Sequence, residues 1–193
     1  MHAQPVDPSV LAHCVAIVVS QNKVDGEALM RLAERLRFGA VIAHSPKLKP
    51  EPFNHRLVFF LVHFDFANTA RMQLLRDLRH FPSVSLAYAP VVMFLRDASA
   101  AQIKAGIEMG FDDVINVPGE GSAIAHRLAS QIGREHLYVE TRTYLGPDRH
   151  RMDRFGPGPA QRQAEEPHAR LFIMRTVEEG VHILRREDVH KAH

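Results

Sequence analysis

Two spacings of apolar residues alternate along the chain. Val15 to Val19, Leu57 to Val62 (LVFFLV) and Pro90 to Leu95 are unbroken apolar runs, the mark of strands buried on both faces of a parallel sheet. Ala40 to Ala43 and the short run after Asp112-Asp113 that closes on Pro118 add two more. Between these runs the period changes to three and four. Leu29, Leu32, Ala33 and Leu36 share a face in a helix that Asp25 precedes and Gly39 caps. Met72, Leu75 and Leu78 predict a helix over 69–81, and Ile103 and Ile107 one that Gly110 ends. Ile124, Leu128 and Ile132 predict a last helix over 122–136. Three prolines between His44 and Pro52 make that stretch a loop. Strand, helix and strand with short connections form the unit of a parallel sheet. Right-handed crossovers then leave a doubly wound α/β order of five strands alternating with five helices, over residues 12–138.

After Tyr138 the character changes. Residues 139–169 are rich in Arg, Gly and Pro, including YLGPDRHR from Tyr144 to Arg151 and FGPGP from Phe155 to Pro159. Gly146-Pro147-Asp148 reads as a turn. Arg142, Arg149, Arg151 and Arg154 are set either to contact acids or phosphates or to lie along a solvated linker. Leu171 to Val177 and Val181 to Leu184 flank Glu178-Glu179-Gly180, a hairpin signal. An isolated hairpin is marginal in water. This one, in 170–193, therefore needs a partner: its own domain, a second copy or another protein. Its first strand carries large apolar groups on both faces, Phe172 on one and Ile173 on the other, which points to a homodimer.

Composition narrows the class. With 193 residues and 46% hydrophobic content the chain supports one α/β domain, after an N-terminal tail of residues 1–11, plus an appended segment. A formal net charge of +2 is too weak to imply nucleic acid, and no apolar run is long enough for a membrane helix. MHAQPVDPSV lacks the pattern of a secretory signal, and the single Cys14 fits a reducing compartment, so a cytoplasmic location is expected. The thirteen His are scattered. No Walker-type glycine loop, Ser-His-Asp order or zinc pair is present, so neither an enzyme nor a cofactor is expected. His190 and His193, with Glu187 and Asp188, have loose metal-like spacing but read as a frayed terminus.

The segment PVVMFLRDASAAQIKAGIEMGFDDVINVP, Pro90 to Pro118, resembles the last third of bacterial response-regulator receiver domains, which run P-V-I-x-L-T-A, helix, G-A-D-D-Y-L-x-K-P. The resemblance covers residues 12–138 and implies the flavodoxin-like (βα)5 fold. It also implies a Mg²⁺ and phosphoryl pocket: two acids after strand 1, an acceptor Asp after strand 3, a hydroxyl after strand 4 and a Lys after strand 5. Here the acids map onto Ser20 and Gln21, the hydroxyl onto Leu95 and the Lys onto Val117. The acceptor position falls on His63 or on Asp65, depending on the direction of counting. One carboxylate among neutral amides holds Mg²⁺ poorly, since hard cations need several anionic oxygens. The Asp112-Asp113 pair is structural in that family. The expectation is a degenerate receiver (a pseudo-receiver) that signals through protein contacts on the face of helix 4, strand 5 and helix 5, around Gln102, Val114 and Ile124. Two rivals remain: a response regulator phosphorylated on Asp65, and a nucleic-acid-binding regulator using the Arg-rich tail.

Overall fold

The protein, seen in a computed structural model, is described over residues 6–45, 49, 53, 56–148 and 167–189. A 3-10 turn, Pro8–His13, leads into β1, Val15–Val19. Helix α1, Lys23–Arg35, and β2, Ala40–Ala43, follow. Next come β3, Val58–His63, α2, Asn68–Arg79, and the one-turn helix α3, Val84–Ala87. β4, Val91–Arg96, α4, Ala100–Met109, β5, Asp113–Val117, and α5, Gly121–Ala129, complete the first unit. All five strands pair in parallel in the order β2-β1-β3-β4-β5, the flavodoxin-like order.

Each central strand is apolar on both sides because both sides are covered. Ala16, Val18, Phe59, Leu61, Val92, Phe94 and Ile115 belong to the core shared with α1 and α5. Val15, Ile17, Val58, Phe60, Val62, Met93, Leu95 and Val114 belong to the core beneath α2, α3 and α4. Helix α4 comes very close to the sheet at Gly106, where a Cβ would lie 2.5 Å from the Met93 methyl and 2.7 Å from Val114. Gly110 ends α4 with φ +118°, a conformation that suits glycine.

Several expectations are corrected. Asn22, not Asp25, caps α1 by accepting from the Val24 amide, and Asp25 lies in the first turn. Leu36 rather than Gly39 is the C-cap, and Gly39 instead packs against the Ala12 carbonyl. Among the described residues no helix joins β2 to β3; two helices, α2 and α3, join β3 to β4. Helix α5 stops at Ala129, and residues expected in it form β6, Glu135–Glu140. Gly146 and Pro147 sit in a strand, β7, Leu145–Pro147, rather than in a turn. The hairpin is real and longer than expected: β8, His168–Thr176, and β9, Gly180–Val189. These four strands form an antiparallel sheet, β7-β6-β8-β9. The rest of the expected linker, 149–166, lies outside the described residues.

The partner of the hairpin is its own domain. Leu171, Ile173 and Val181 are buried in the core that contains Leu11, Cys14 and Leu57. Arg175, fully buried, reaches from β8 to the sheet's N-terminal end. It donates to the Tyr88 carbonyl at 3.0 Å, to Gln131 at 3.0 Å and to Asp112 Oδ1 at 2.8 Å. Tyr138 of β6 donates to the same oxygen at 2.6 Å. Asp112 Oδ2 accepts from Arg79 of α2 at 2.7 Å and from the Val91 amide at 2.8 Å. Burial alone would raise the Asp112 pKa, yet Arg175 and Arg79 hold it well below the usual carboxylate range. Asp112 is thus structural, as expected. Asp113 pairs separately with Arg127.

Removing one member leaves buried charge uncompensated, which costs about 3–5 kcal/mol. Arg175→Met is therefore expected to cost several kcal/mol of stability, read in urea unfolding as a lowered midpoint. A midpoint equal to the parent's would show that the second sheet is not held through Asp112.

Candidate functional site

The C-terminal ends of β1, β3, β4 and β5 lie opposite the second sheet, which docks on their N-terminal ends. Here the two candidate acceptors separate. His63 is the last residue of β3 and is buried. Asp65, two residues on, turns back to the loop after β1. Its Oδ2 accepts from the Ser20 hydroxyl and from the amides of Gln21 and Asn22, each at 3.1 Å. The Ser20 hydroxyl also lies 2.6 Å from the Asn22 carbonyl, so its one proton is shared between the two acceptors and the tight β1–α1 turn is what aims these donors. The loop therefore meets the carboxylate with hydrogen-bond donors rather than with acids, and no second anion shares it through β1.

The remaining corners of the pocket are apolar, though unequally. Leu95 is 6% exposed and packs in the core with Ile107 and Val114. Val117 is only partly buried and packs on the opposite core. The loop after β4 is fastened to β5: the Asp97 amide donates to the Val117 carbonyl at 3.1 Å and the Ala98 amide to Asn116 at 2.8 Å. Beside Leu95 lies a cavity of about 250 Å³ lined by Phe64, Asn68, Arg71, Arg96, Gln102 and Met109, among others. Arg71 donates to the Phe64 carbonyl at 2.6 Å and so pins the loop after β3. Desolvation lowers the Arg71 pKa, with the charge of Asp65 opposing.

Other contact residues are redistributed. Gln102 is exposed and forms the capping box of α4 with Ser99. Val114, Ile124 and Ile173 are 0%, 4% and 0% exposed, so they serve the chain's own core and not a partner, a correction to their expected role. Phe172 points outward under the Arg185 guanidinium, 3.7 Å from its ring centroid. Arg149, Arg151, His190 and His193 lie outside the described residues. Sequence reasoning missed Arg79 and Arg175, and it missed that α1 brings Asp25 next to His63 and Asp65. The one available signal for Asp25 was its place in a first helical turn beside the strand-end loops.

Among solved structures, the chain is similar to the signal receiver domain of a signal transduction histidine kinase from Syntrophus aciditrophicus. The two share 17% identity with a TM-score of 0.43, over 63% of this chain and 93% of that one. It is also similar to response regulator ChrA of a heme-sensing two-component system, at 14% identity and a TM-score of 0.40, over 57% of this chain and 52% of that one. No family model matches the sequence. No curated protein matches it either.

The unequal burial of the two apolar corners gives a test. Leu95→Thr buries a hydroxyl and removes packed methyls, and is expected to cost about 2 kcal/mol. Val117→Lys is expected to cost about 1 kcal/mol or less, because a lysine stem reaches water from a half-buried site. Urea unfolding of both variants checks this. Equal midpoints for Leu95→Thr and parent would mean that the β4 end is open to solvent.

Proposed function

We propose that the chain is a pseudo-receiver: a non-catalytic, phosphorylation-independent signalling or scaffold module of bacterial, cytoplasmic two-component type that acts through protein contacts. The observation that carries this reading is the engagement of Asp65. Its carboxylate satisfies three donors of the β1 loop. A phosphoryl acceptor instead needs neighbouring acids to hold Mg²⁺ and a cation to neutralise the transferred group. Asp25 of α1 is the one acid grouped with Asp65 among the described residues, Ser20 and Gln21 carry no charge, and Leu95 and Val117 supply neither hydroxyl nor ammonium. A small phosphodonor with Mg²⁺ is expected to leave the intact mass unchanged. A Mg²⁺-dependent gain of one phosphoryl group, abolished by Asp65→Asn, would establish the rival reading of a response regulator phosphorylated on Asp65.

The contact surface we assign to a second copy is the outer edge of β9. Among the described residues no strand pairs with that edge. Ile183 and Leu184 are 42% and 53% exposed beside it. Arg185-Arg186-Glu187-Asp188 is self-complementary about a two-fold axis: antiparallel pairing sets Arg185 against Asp188 and Arg186 against Glu187. Light scattering is expected to give a dimer for the parent and a monomer for the double variant Arg185→Glu, Arg186→Glu. A monomeric parent, or a variant that dimerises equally well, removes this interface.

A further inference from the structure

Asp65 spends one oxygen on the β1 loop and leaves the other. Oδ1 is buried and has no hydrogen-bond donor. It faces Nδ1 of His63 at 3.4 Å. That nitrogen is also buried without a hydrogen-bond partner, on a side chain only 9% exposed. A charge-assisted hydrogen bond would draw the two atoms to about 2.7–2.9 Å. At their actual separation neither is satisfied, and buried polar atoms left in that state are costly. A carboxylate oxygen of Asp25, in the first turn of α1, completes a group whose ligand atoms all lie within 4.8 Å of one another.

We propose that Asp25, His63 and Asp65 form a binding site for a divalent transition-metal ion of the zinc type. Zinc bonds to imidazole nitrogen and carboxylate oxygen of about 2.0–2.1 Å, set tetrahedrally, place neighbouring ligand atoms about 3.3–3.5 Å apart. The His63 and Asp65 atoms already stand at that spacing. An imidazole with two carboxylates suits zinc and its neighbours, whereas Mg²⁺ requires a near-octahedral shell of oxygens. Two carboxylates also balance the charge of the ion, and three protein ligands leave a fourth position for water. The second shell is built in. Ser20, Gln21 and Asn22 fix Asp65 Oδ2, and thereby orient Oδ1 toward His63. His63 is anchored at the end of a buried strand, while Asp25 is half-exposed and is the ligand that moves. Binding therefore draws the start of α1 toward the loop after β3.

The test uses the untagged full chain, stripped with a chelator and titrated calorimetrically with Zn²⁺ alone. Co²⁺ absorption reports the coordination sphere. The expected result is one tightly bound ion per chain that millimolar Mg²⁺ does not displace. His63→Gln and Asp25→Asn should each weaken binding at least tenfold, and His182→Gln, a surface histidine beside Glu179, should not. Absence of a saturable single site, or equal affinity in Asp25→Asn and parent, overturns the proposal. Asp25→Asn decides the matter if His63→Gln fails to fold by circular dichroism, since Asp25 lies on the helix surface. The proposal builds on the reading of this pocket as inert to phosphodonors, and the two fail separately. Phosphorylation of Asp65 alongside zinc binding overturns only the functional reading. A chain that takes neither phosphoryl groups nor zinc overturns only this one.

Discussion

One buried carboxylate joins the two sheets. Asp112 stands where β5 begins, and the groups that converge on it come from α2, β4, β6 and β8. An isolated ionised carboxylate in such a place would be prohibitively costly. Two guanidinium groups, a phenol and an amide make it tolerable, and each donor then constrains the element that carries it. The ring of Tyr138 lies against both arginines, 5.3 Å from the Arg79 guanidinium and 5.6 Å from that of Arg175. Arg79 also donates to the carbonyls of Ala87 and Ala89, so the turn through α3 is fixed by the same cluster. A purely apolar contact between the sheets is non-directional. This cluster sets their register.

Its position has a consequence for the other end of the molecule. Because Arg175 docks the second sheet at the N-terminal ends of β4 and β5, the strand ends that carry Ser20, His63, Asp65, Leu95 and Val117 stay clear of it. Stability and site chemistry are thus separated along the strand axis. The clamped end can carry a permanent extension while the loops at the other end remain available, in keeping with ligand sites at the carboxyl ends of strands in open α/β sheets. At that end the loops are tied together internally: β1 to Asp65, β3 to Arg71, β4 to β5. A pocket tied in this way is organised before any ligand arrives.

The first sheet was legible because its central strands β1, β3 and β4 are near-unbroken apolar runs, and a strand covered on both faces can be little else. The end of α5 was not. Ile132 continues the four-residue spacing of Ile124 and Leu128 and is buried like them, yet the helix ends at Ala129, and Gly133 at φ +72° lies in the turn that leads into β6. Period alone could not separate a helix from a helix followed by a turn that returns the chain to the same core. In EHLYVE the inward residues His136 and Tyr138 alternate with the outward Glu135 and Leu137, a strand signal that the helical spacing masked. The Asp65–Ser20 contact spans 45 residues and left no local trace at all.

The buried arginines left a subtler trace. Arg79 occupies the stripe of α2 set by Leu75 and Leu78, and Arg175 keeps the inward parity of Leu171 and Ile173. A cation at an inward position is paid for only when an acid meets it there. Among the described residues, the acid that pairs with both is Asp112. A charged residue that keeps the apolar register is therefore better read as one half of a buried pair than as a break in the pattern. On that basis the packing of the hairpin on its own domain follows from sequence parity, because Arg175 needs an acid within reach and no residue of its own hairpin supplies one from the inward face.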